Sequence, residues 1–192
     1  MKRITWVGIT APFFGAPLCA CQTPDNLVPN CGFTADIAAR ENETAGSCVH
    51  NTSNGSSVVG NITCTSFAGM FGYVVRFRRC VLAANGVSGD SVYRYGADTQ
   101  LASGSNVSCT VEVADFTCDN CQFNVNAATT PLVPASPPNY AESSAATYAL
   151  GALAVSAHVR IACNSATAFQ VRVDDVFVGV EDAIFKNGFE TP

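Results

Sequence analysis

Tryptophan, lysine and charged residues in general are scarce in this chain of 192 residues. It has one tryptophan, Trp6, and its lysines are Lys2 and Lys186. Charged residues make up 13% of the chain and hydrophobic residues 48%. A chain with so few basic residues attracts the phosphate backbone of a nucleic acid only weakly, so we expect no nucleic-acid partner. The hydrophobic content suffices for the core of one globular domain.

Long hydrophobic runs are also missing after the first twenty residues, so the sequence predicts no membrane-spanning helix in the mature chain. The start, MKR followed by an uncharged stretch that ends in small residues, predicts a signal peptide over 1–20. Without Lys2 and Arg3, 8 basic residues remain against 15 acidic ones, a net charge of −7. We expect a secreted or outer-envelope protein.

The predicted cleavage point allows two outcomes. Leu18-Cys19-Ala20-Cys21 resembles a bacterial lipobox, in which the last cysteine is lipidated, so Cys21 is a candidate lipidation site. Lipidation would leave eight cysteines for pairing, whereas an ordinary cut after Ala20 leaves an odd number outside the cell. A free form and a lipid-anchored form both stay open.

Cysteines in an exported chain predict structural disulfides, because the compartment is oxidising. The candidates are Cys31, Cys48, Cys64, Cys80, Cys109, Cys118, Cys121 and Cys163. Spacing does not determine the pairing. We predict Cys64 with Cys80, which flank one candidate strand pair. Cys118 and Cys121 form a local bridge or take other partners. A redox site would need a helix that starts at this motif, and a zinc site would need a second cysteine pair; the sequence shows neither.

Alternation with period two dominates the sequence, and helical periodicity is nearly absent. Residues 107–113 and 155–163 alternate apolar with polar side chains, which predicts strands with one wet face. Further candidate strands are 58–64, 73–82 and 91–95. The proline-rich stretch 129–140 predicts a long loop, and the alanine-rich stretch 141–154 allows a helical turn.

Many short strands joined by glycine- and serine-rich turns predict an all-β fold. We expect a two-sheet antiparallel β-sandwich of jelly-roll type over 21–180, linked by disulfides and followed by a C-terminal tail over 181–192.

Two adjacent acids interrupt the last predicted strand, at Asp174 and Asp175. The apolar residues on either side are out of step by one position; they are Val171, Val173, Val176 and Val178. A β-bulge at the acids would keep all four valines inward. A carboxylate turned toward the sheet would then need a cation or several donors, and calcium would suffice. The alternative is that both carboxylates are solvent-exposed at a strand end and pair with Arg172 or Arg160.

Two stretches near the ends of the mature chain match the motifs of one family. Residues 26–33, Asn-Leu-Val-Pro-Asn-Cys-Gly-Phe, are similar to the first-strand motif Asn-Leu-x-x-Asn-Gly-Gly-Phe-Glu. Residues 171–176 are similar to a last strand ending in Asp-Asp-Val, and 73–79 to a middle strand beginning Tyr-x-x-x-Phe. The chain thus resembles carbohydrate-binding modules with the galactose-binding-like jelly roll.

This resemblance implies that the first and last strands lie near each other, often with a structural calcium. Carried over, Asp174 is the candidate calcium ligand, while the second family position is Thr34 here instead of Glu. The resemblance also implies non-catalytic binding of a carbohydrate or cell-surface glycan. The family usually has tryptophan in its binding face, and the predicted mature chain has none.

Tyrosine is then the flat side chain left for stacking on sugars. Tyr93-Arg94-Tyr95 places two rings on one face of a strand and a guanidinium on the other, and Tyr140 ends the proline loop. These four are our candidate ligand-binding residues. The alternative is that Tyr93 and Tyr95 pack in the core.

Two other function classes stay open: a structural or interaction protein of the bacterial envelope, and a hydrolase. Residues 184–190 resemble an Ile-Phe-x-Asp-Gly-Phe-Glu tail of exported Gram-negative proteins. Gly89-Asp90-Ser91 resembles an esterase motif, but His158 lacks the aspartate three residues before it that such enzymes need. We expect no enzyme activity.

Overall fold

The computed structural model describes residues 27–28, 46–52, 55–56, 60–69, 72–82, 87, 91–122, 124–143 and 146–180. Within these ranges the chain forms eleven strands and no helix, so the all-β prediction is confirmed. The predicted signal peptide, Cys21, Cys31, Thr34 and the C-terminal tail lie outside the described residues.

The eleven strands are divided between two layers. In chain order they are β1 (Ser47–Asn51), β2 (Asn61–Thr65), β3 (Phe67–Gly69), β4 (Gly72–Leu82), β5 (Val92–Ser103), β6 (Ser108–Phe116), β7 (Asn124–Leu132), β8 (Ala141–Glu142), β9 (Ala146–Ala149), β10 (Ser156–Ser165) and β11 (Gln170–Val180).

Two antiparallel sheets form the predicted sandwich. The six-stranded sheet has the order β1-β2-β11-β5-β8, with β9 also pairing with β5, and the five-stranded sheet has the order β3-β4-β10-β6-β7. Alternate residues of each strand face the partner sheet, and there the side chains of Ile62, Phe77, Val111 and Ile161 are fully buried. Burial of these inward rows holds the two sheets together.

Two segments differ from their prediction. The alanine-rich stretch 141–154 contains β8 and β9, and its described residues form no helix. The predicted loop 129–140 begins inside β7, because Thr129 to Leu132 pair with β6. Pro131 is tolerated there because β7 is an edge strand, where one face of the backbone needs no hydrogen-bonded neighbour.

The bulge at the paired aspartates is confirmed. Asp174 lies opposite Asp98 and Phe177 lies opposite Gly96, with a register shift between the two pairs. Asp175 adopts a left-handed backbone conformation, with φ of 43°. All four valines named above are 0% exposed. The backbone N–H of Leu27 donates to the carbonyl of Val178 at 2.8 Å, so Leu27, near the start of the first family motif, lies beside the last strand.

Three disulfides join neighbouring strands or loops: Cys48–Cys64, Cys80–Cys121 and Cys109–Cys163. The predicted pair of Cys64 with Cys80 is wrong, because β2 and β4 lie in different sheets. A bridge between Cys118 and Cys121 does not form either. Cys118 has no disulfide partner among the described residues.

Candidate functional site

Two of the four predicted ligand-binding residues belong to the core. Tyr93 is 0% exposed and Tyr95 is 2% exposed, and the Tyr95 hydroxyl lies 3.1 Å from the hydroxyl of Thr130 in the opposite sheet. Rings that fill the space between two sheets cannot stack on a sugar, so the prediction is wrong for both. Arg94 and Tyr140 are half-buried.

The outer face of the six-stranded sheet carries a carboxyl cluster, which we define as Asp98, Asp174 and Asp175. The backbone N–H of Ser56 donates to Oδ2 of Asp174 at 2.5 Å, and the Ser56 hydroxyl donates to Oδ2 of Asp98. Oδ1 of Asp174 accepts the backbone N–H of Asp175 at 2.8 Å. The bulge thus turns two adjacent acids toward a third on the neighbouring strand.

Burial is the main cause of the raised pKa values of Asp98 and Asp174 in this cluster. It raises the pKa of Asp98 to about 6 and that of Asp174 to about 8, and the negative charge of Asp175 adds to both shifts. Hydrogen bonds from Ser56 partly oppose them. Without a cation, the cluster therefore retains a proton near neutral pH.

The proline-rich loop covers the strand next to this cluster. Gln100 is buried, and its Nε2 donates to the carbonyls of Pro138 and Asn139 at 2.9 and 3.0 Å. Arg172 donates to Oε1 of the same glutamine. Burial and the nearby aspartates raise the pKa of Tyr140. These contacts leave the face largely occupied by its own chain.

The described residues do not supply a complete calcium site at Asp174. They include no group of three or more His, Cys, Asp or Glu side chains placed to hold a metal ion. Both oxygens of Asp174 also accept backbone N–H groups. Its role as a calcium ligand stays a prediction.

The outward side chains of β4, β10 and β6 carry three arginines and one acid among the described residues. We define the basic face as Phe67, Arg76, Arg78, Glu112 and Arg160. Arg78 on β4 lies directly opposite Arg160 on β10, which lies opposite Glu112 on β6. Arg76 and Phe67 are exposed, Phe67 by 47%, and the other three are partly exposed.

Phe67 provides an aromatic ring at the edge of the basic face. It pairs with Val74 on β4 and therefore points to the same side of the sheet as Val74 and Arg76. Diagonal neighbours of this kind lie about 7–8 Å apart, so one sugar ring could span the pair. Sequence reasoning missed Phe67 because a three-residue edge strand has no readable alternation.

Hydrogen bonds fix the polar side chains of this face. The Glu112 carboxylate holds the Arg160 guanidinium at 2.6 Å and Nε2 of His158 at 2.9 Å. Arg78 donates to the carbonyl of Cys121 at 3.4 Å. Such contacts reduce the entropy that these long side chains lose on binding a ligand.

A disulfide-anchored loop borders the same face. Cys80–Cys121 ties the loop 117–122 to β4, and Cys121 packs with Phe116 in a small buried cluster outside the main core. His158 lies against the ring of Phe116 at a centroid distance of 5.0 Å. Burial lowers the pKa of His158 despite the opposing effect of Glu112, so this imidazole is neutral at pH 7.

The fold is similar to that of solved carbohydrate-binding modules. A family 61 module in complex with β-1,4-galactotriose has a TM-score of 0.57 at 13% identity, covering 81% of this chain and 99% of that one. The family 22 and GH10 modules of Clostridium thermocellum xylanase 10B, complexed with xylohexaose, have a TM-score of 0.55 at 10% identity, covering 82% and 28%. At such identities the likeness establishes the fold alone.

A third similar structure is the enzymatically active domain of tailspike protein 4 of bacteriophage CBA120. Its TM-score is 0.60 at 11% identity, covering 81% of this chain and 21% of that one. No protein-family model and no curated protein sequence matches the chain. Among the described residues, no helix is long and apolar enough to cross a membrane. The comparisons thus identify a jelly-roll sandwich of the kind found in carbohydrate-binding modules.

Proposed function

We propose that this protein is an exported, non-catalytic binding module that holds a carbohydrate or cell-surface glycan on the basic face. The observation that carries the proposal is the placement of the exposed Phe67 ring beside Arg76, on the side of the sheet that also bears Arg78 and Arg160. An aromatic ring with convergent polar groups is the usual composition of a sugar site.

The ligands bound in the similar structures support the glycan class. Modules of this fold were solved with β-1,4-galactotriose and with xylohexaose. The three disulfides agree with an oxidising compartment outside the cytoplasm. The signal peptide, the lipid anchor at Cys21 and the calcium at Asp174 remain parts of the proposal.

Retention on insoluble polysaccharides tests the function. We expect the protein to sediment with at least one polymer of a panel of plant and bacterial cell-wall glycans, and Phe67→Ala to lose that retention at least fivefold. Val49→Ala is the matched control, because Val49 is 55% exposed on an edge strand of the other sheet. Equal retention of Phe67→Ala and wild type would reject the basic face as the site.

A second candidate is a structural or interaction protein of the envelope without a small ligand. The burial of Tyr93 and Tyr95 favours it, because two predicted stacking rings are lost to the core. Failure to sediment with any polymer would support this candidate. Release of reducing ends from a polymer would instead support a hydrolase.

A further inference from the structure

We propose that the ligand of the basic face is a polysaccharide that carries carboxylate groups, of the uronic-acid class. This inference rests on the proposed function and specifies the ligand of the same site.

The first argument is the excess of positive charge on one side of the sheet. The outward side chains of β4, β10 and β6 include Arg76, Arg78 and Arg160 but one acid, Glu112, among the described residues. His158 adds no charge at neutral pH, since burial lowers its pKa. The whole chain has a net charge of −5. A local positive surface on an acidic protein directs an anionic polymer to that surface and away from the rest.

The second argument is the register of the arginines. Arg78 and Arg160 are direct cross-strand partners, and like charges in such positions repel each other. Both oxygens of Glu112 are already engaged, by Arg160 and by His158. An anionic group placed over the β4–β10 pair would contact both guanidinium groups.

The third argument is the chemistry of the guanidinium group. Its planar arrangement of donors matches a carboxylate with two parallel hydrogen bonds, which are stronger than bonds to neutral hydroxyls. Among the described residues of this face, Phe67 is the single exposed ring. One ring gives limited stacking, so charge-assisted hydrogen bonds would supply most of the affinity.

A matched pair of polymers tests the inference. The probes are polygalacturonate and the same polymer after chemical reduction of its carboxyl groups, with binding measured by calorimetry at 50 mM and 500 mM NaCl. We expect at least tenfold tighter binding of the unreduced polymer at low salt, and loss of that preference at high salt. Equal binding of both polymers would overturn the inference and leave the proposed function standing.

Variants locate the effect. Arg76→Gln and Arg78→Gln should each reduce the preference for polygalacturonate about tenfold, while Arg172→Gln, which removes the same charge from the other sheet, should not. Melting curves check that each variant folds. A loss in Arg172→Gln alone would place the anion site on the six-stranded sheet and overturn the inference.

Two further sets of polymers test the type of anion and the proposed function separately. Dextran sulfate tests the nature of the anion, and tighter binding to it than to polygalacturonate would overturn the carboxylate assignment. Neutral galactan and xylan test the proposed function independently. Binding to these with no binding to polygalacturonate would overturn the inference alone, whereas binding to no polymer would overturn both.

Discussion

The outer face of the five-stranded sheet carries three arginines around one glutamate, whereas that of the six-stranded sheet carries the carboxyl cluster of the bulge. Both sheets bury alternating rows of aliphatic and aromatic residues on their inner sides. On the first outer face Phe67 and Arg76 are exposed, and hydrogen bonds of 2.6 and 3.4 Å hold Arg160 and Arg78. The second is covered in part by the proline-rich loop.

The inner faces need only apolar side chains of suitable volume, so they establish the fold without indicating a ligand. The outer faces have no such requirement and can differ in charge, exposure and rigidity. A binding function is therefore to be sought in these differences. The following experiments separate the two faces, from the largest expected effect to the smallest.

Removal of the Cys80–Cys121 disulfide should affect both stability and binding. The bridge closes a sequence separation of 41 residues, against 16 for Cys48–Cys64. We expect Cys80→Ala/Cys121→Ala to lower the free energy of unfolding by about 4 kcal/mol, and Cys48→Ala/Cys64→Ala by about 3 kcal/mol. Denaturant unfolding measures both.

The two double variants should differ more clearly in glycan retention. Freeing the loop 117–122 removes one border of the basic face and the acceptor of Arg78, so Cys80→Ala/Cys121→Ala should sediment less with polysaccharide. Cys48→Ala/Cys64→Ala alters the other sheet and should retain binding while it remains folded. Equal loss in both would mean that binding follows overall stability and not this face.

Chelation tests the carboxyl cluster. If calcium binds Asp174 as predicted, it should stabilise the native state by about 2.7 kcal/mol at a concentration 100 times the Kd. We expect EDTA to lower the melting temperature of the wild type and added calcium to restore it. Asp174→Asn should not respond, and Arg76→Gln should respond like the wild type. An unchanged wild-type melting curve would reject the calcium site.

Glu112→Gln should change the basic face in two opposite ways. Loss of the charge-assisted bond to Arg160 should cost about 1–2 kcal/mol of stability. The same change raises the net positive charge of the face, so affinity for polygalacturonate should increase severalfold. Glu142→Gln is the control on the other sheet. Weaker polymer binding by Glu112→Gln would show that the ordering of Arg160 outweighs charge.

The pH dependence of stability should have opposite signs on the two faces. In EDTA, the raised pKa values of Asp98 and Asp174 mean that the native state holds protons that the unfolded chain has released. Their contribution to stability is complete below about pH 4 and is lost as pH rises through 6 and 8. Asp98→Asn should flatten this decline between about pH 4 and 6; an unchanged slope would contradict the assignment.

His158 should give stability the opposite pH dependence. Its pKa is lowered by burial from 6.5, so the unfolded chain binds a proton more readily, and stability falls as pH decreases below about 6.5. His158→Gln should remove this loss while leaving the decline at high pH. Thermal melting at pH 5 and pH 7 measures the difference, and an equal loss at low pH in the variant would exclude His158 as its cause.

Local patterns were sufficient to predict most strands. Period-two alternation identified β6 and β10, and the broken alternation at Asp174 predicted the bulge and the inward valines. The same information did not identify the short strands β1 and β3, nor β7, β8 and β9, whose alanine, threonine and proline residues have no clear alternation. Disulfide pairing also escaped prediction, because Cys80 meets Cys121 through a loop that folds back outside the sandwich.

The candidate site was less predictable than the fold. Alternation correctly placed Tyr93 and Tyr95 on the same side of a strand, but it does not tell which side becomes the core. The row of Arg78, Arg160 and Glu112 joins residues from three strands. Their contact depends on strand order and register, which no short stretch of sequence contains.

By itself, then, the amino-acid sequence determined the all-β class, the positions of the long strands and the bulge at the paired aspartates. Each of these follows from interactions between residues a few positions apart. The tertiary structure alone decided which cysteines pair, that the tyrosines of β5 are buried, and that three arginines share an open surface with Phe67. Those outcomes depend on which strands become neighbours, and burial of the whole core selects that arrangement.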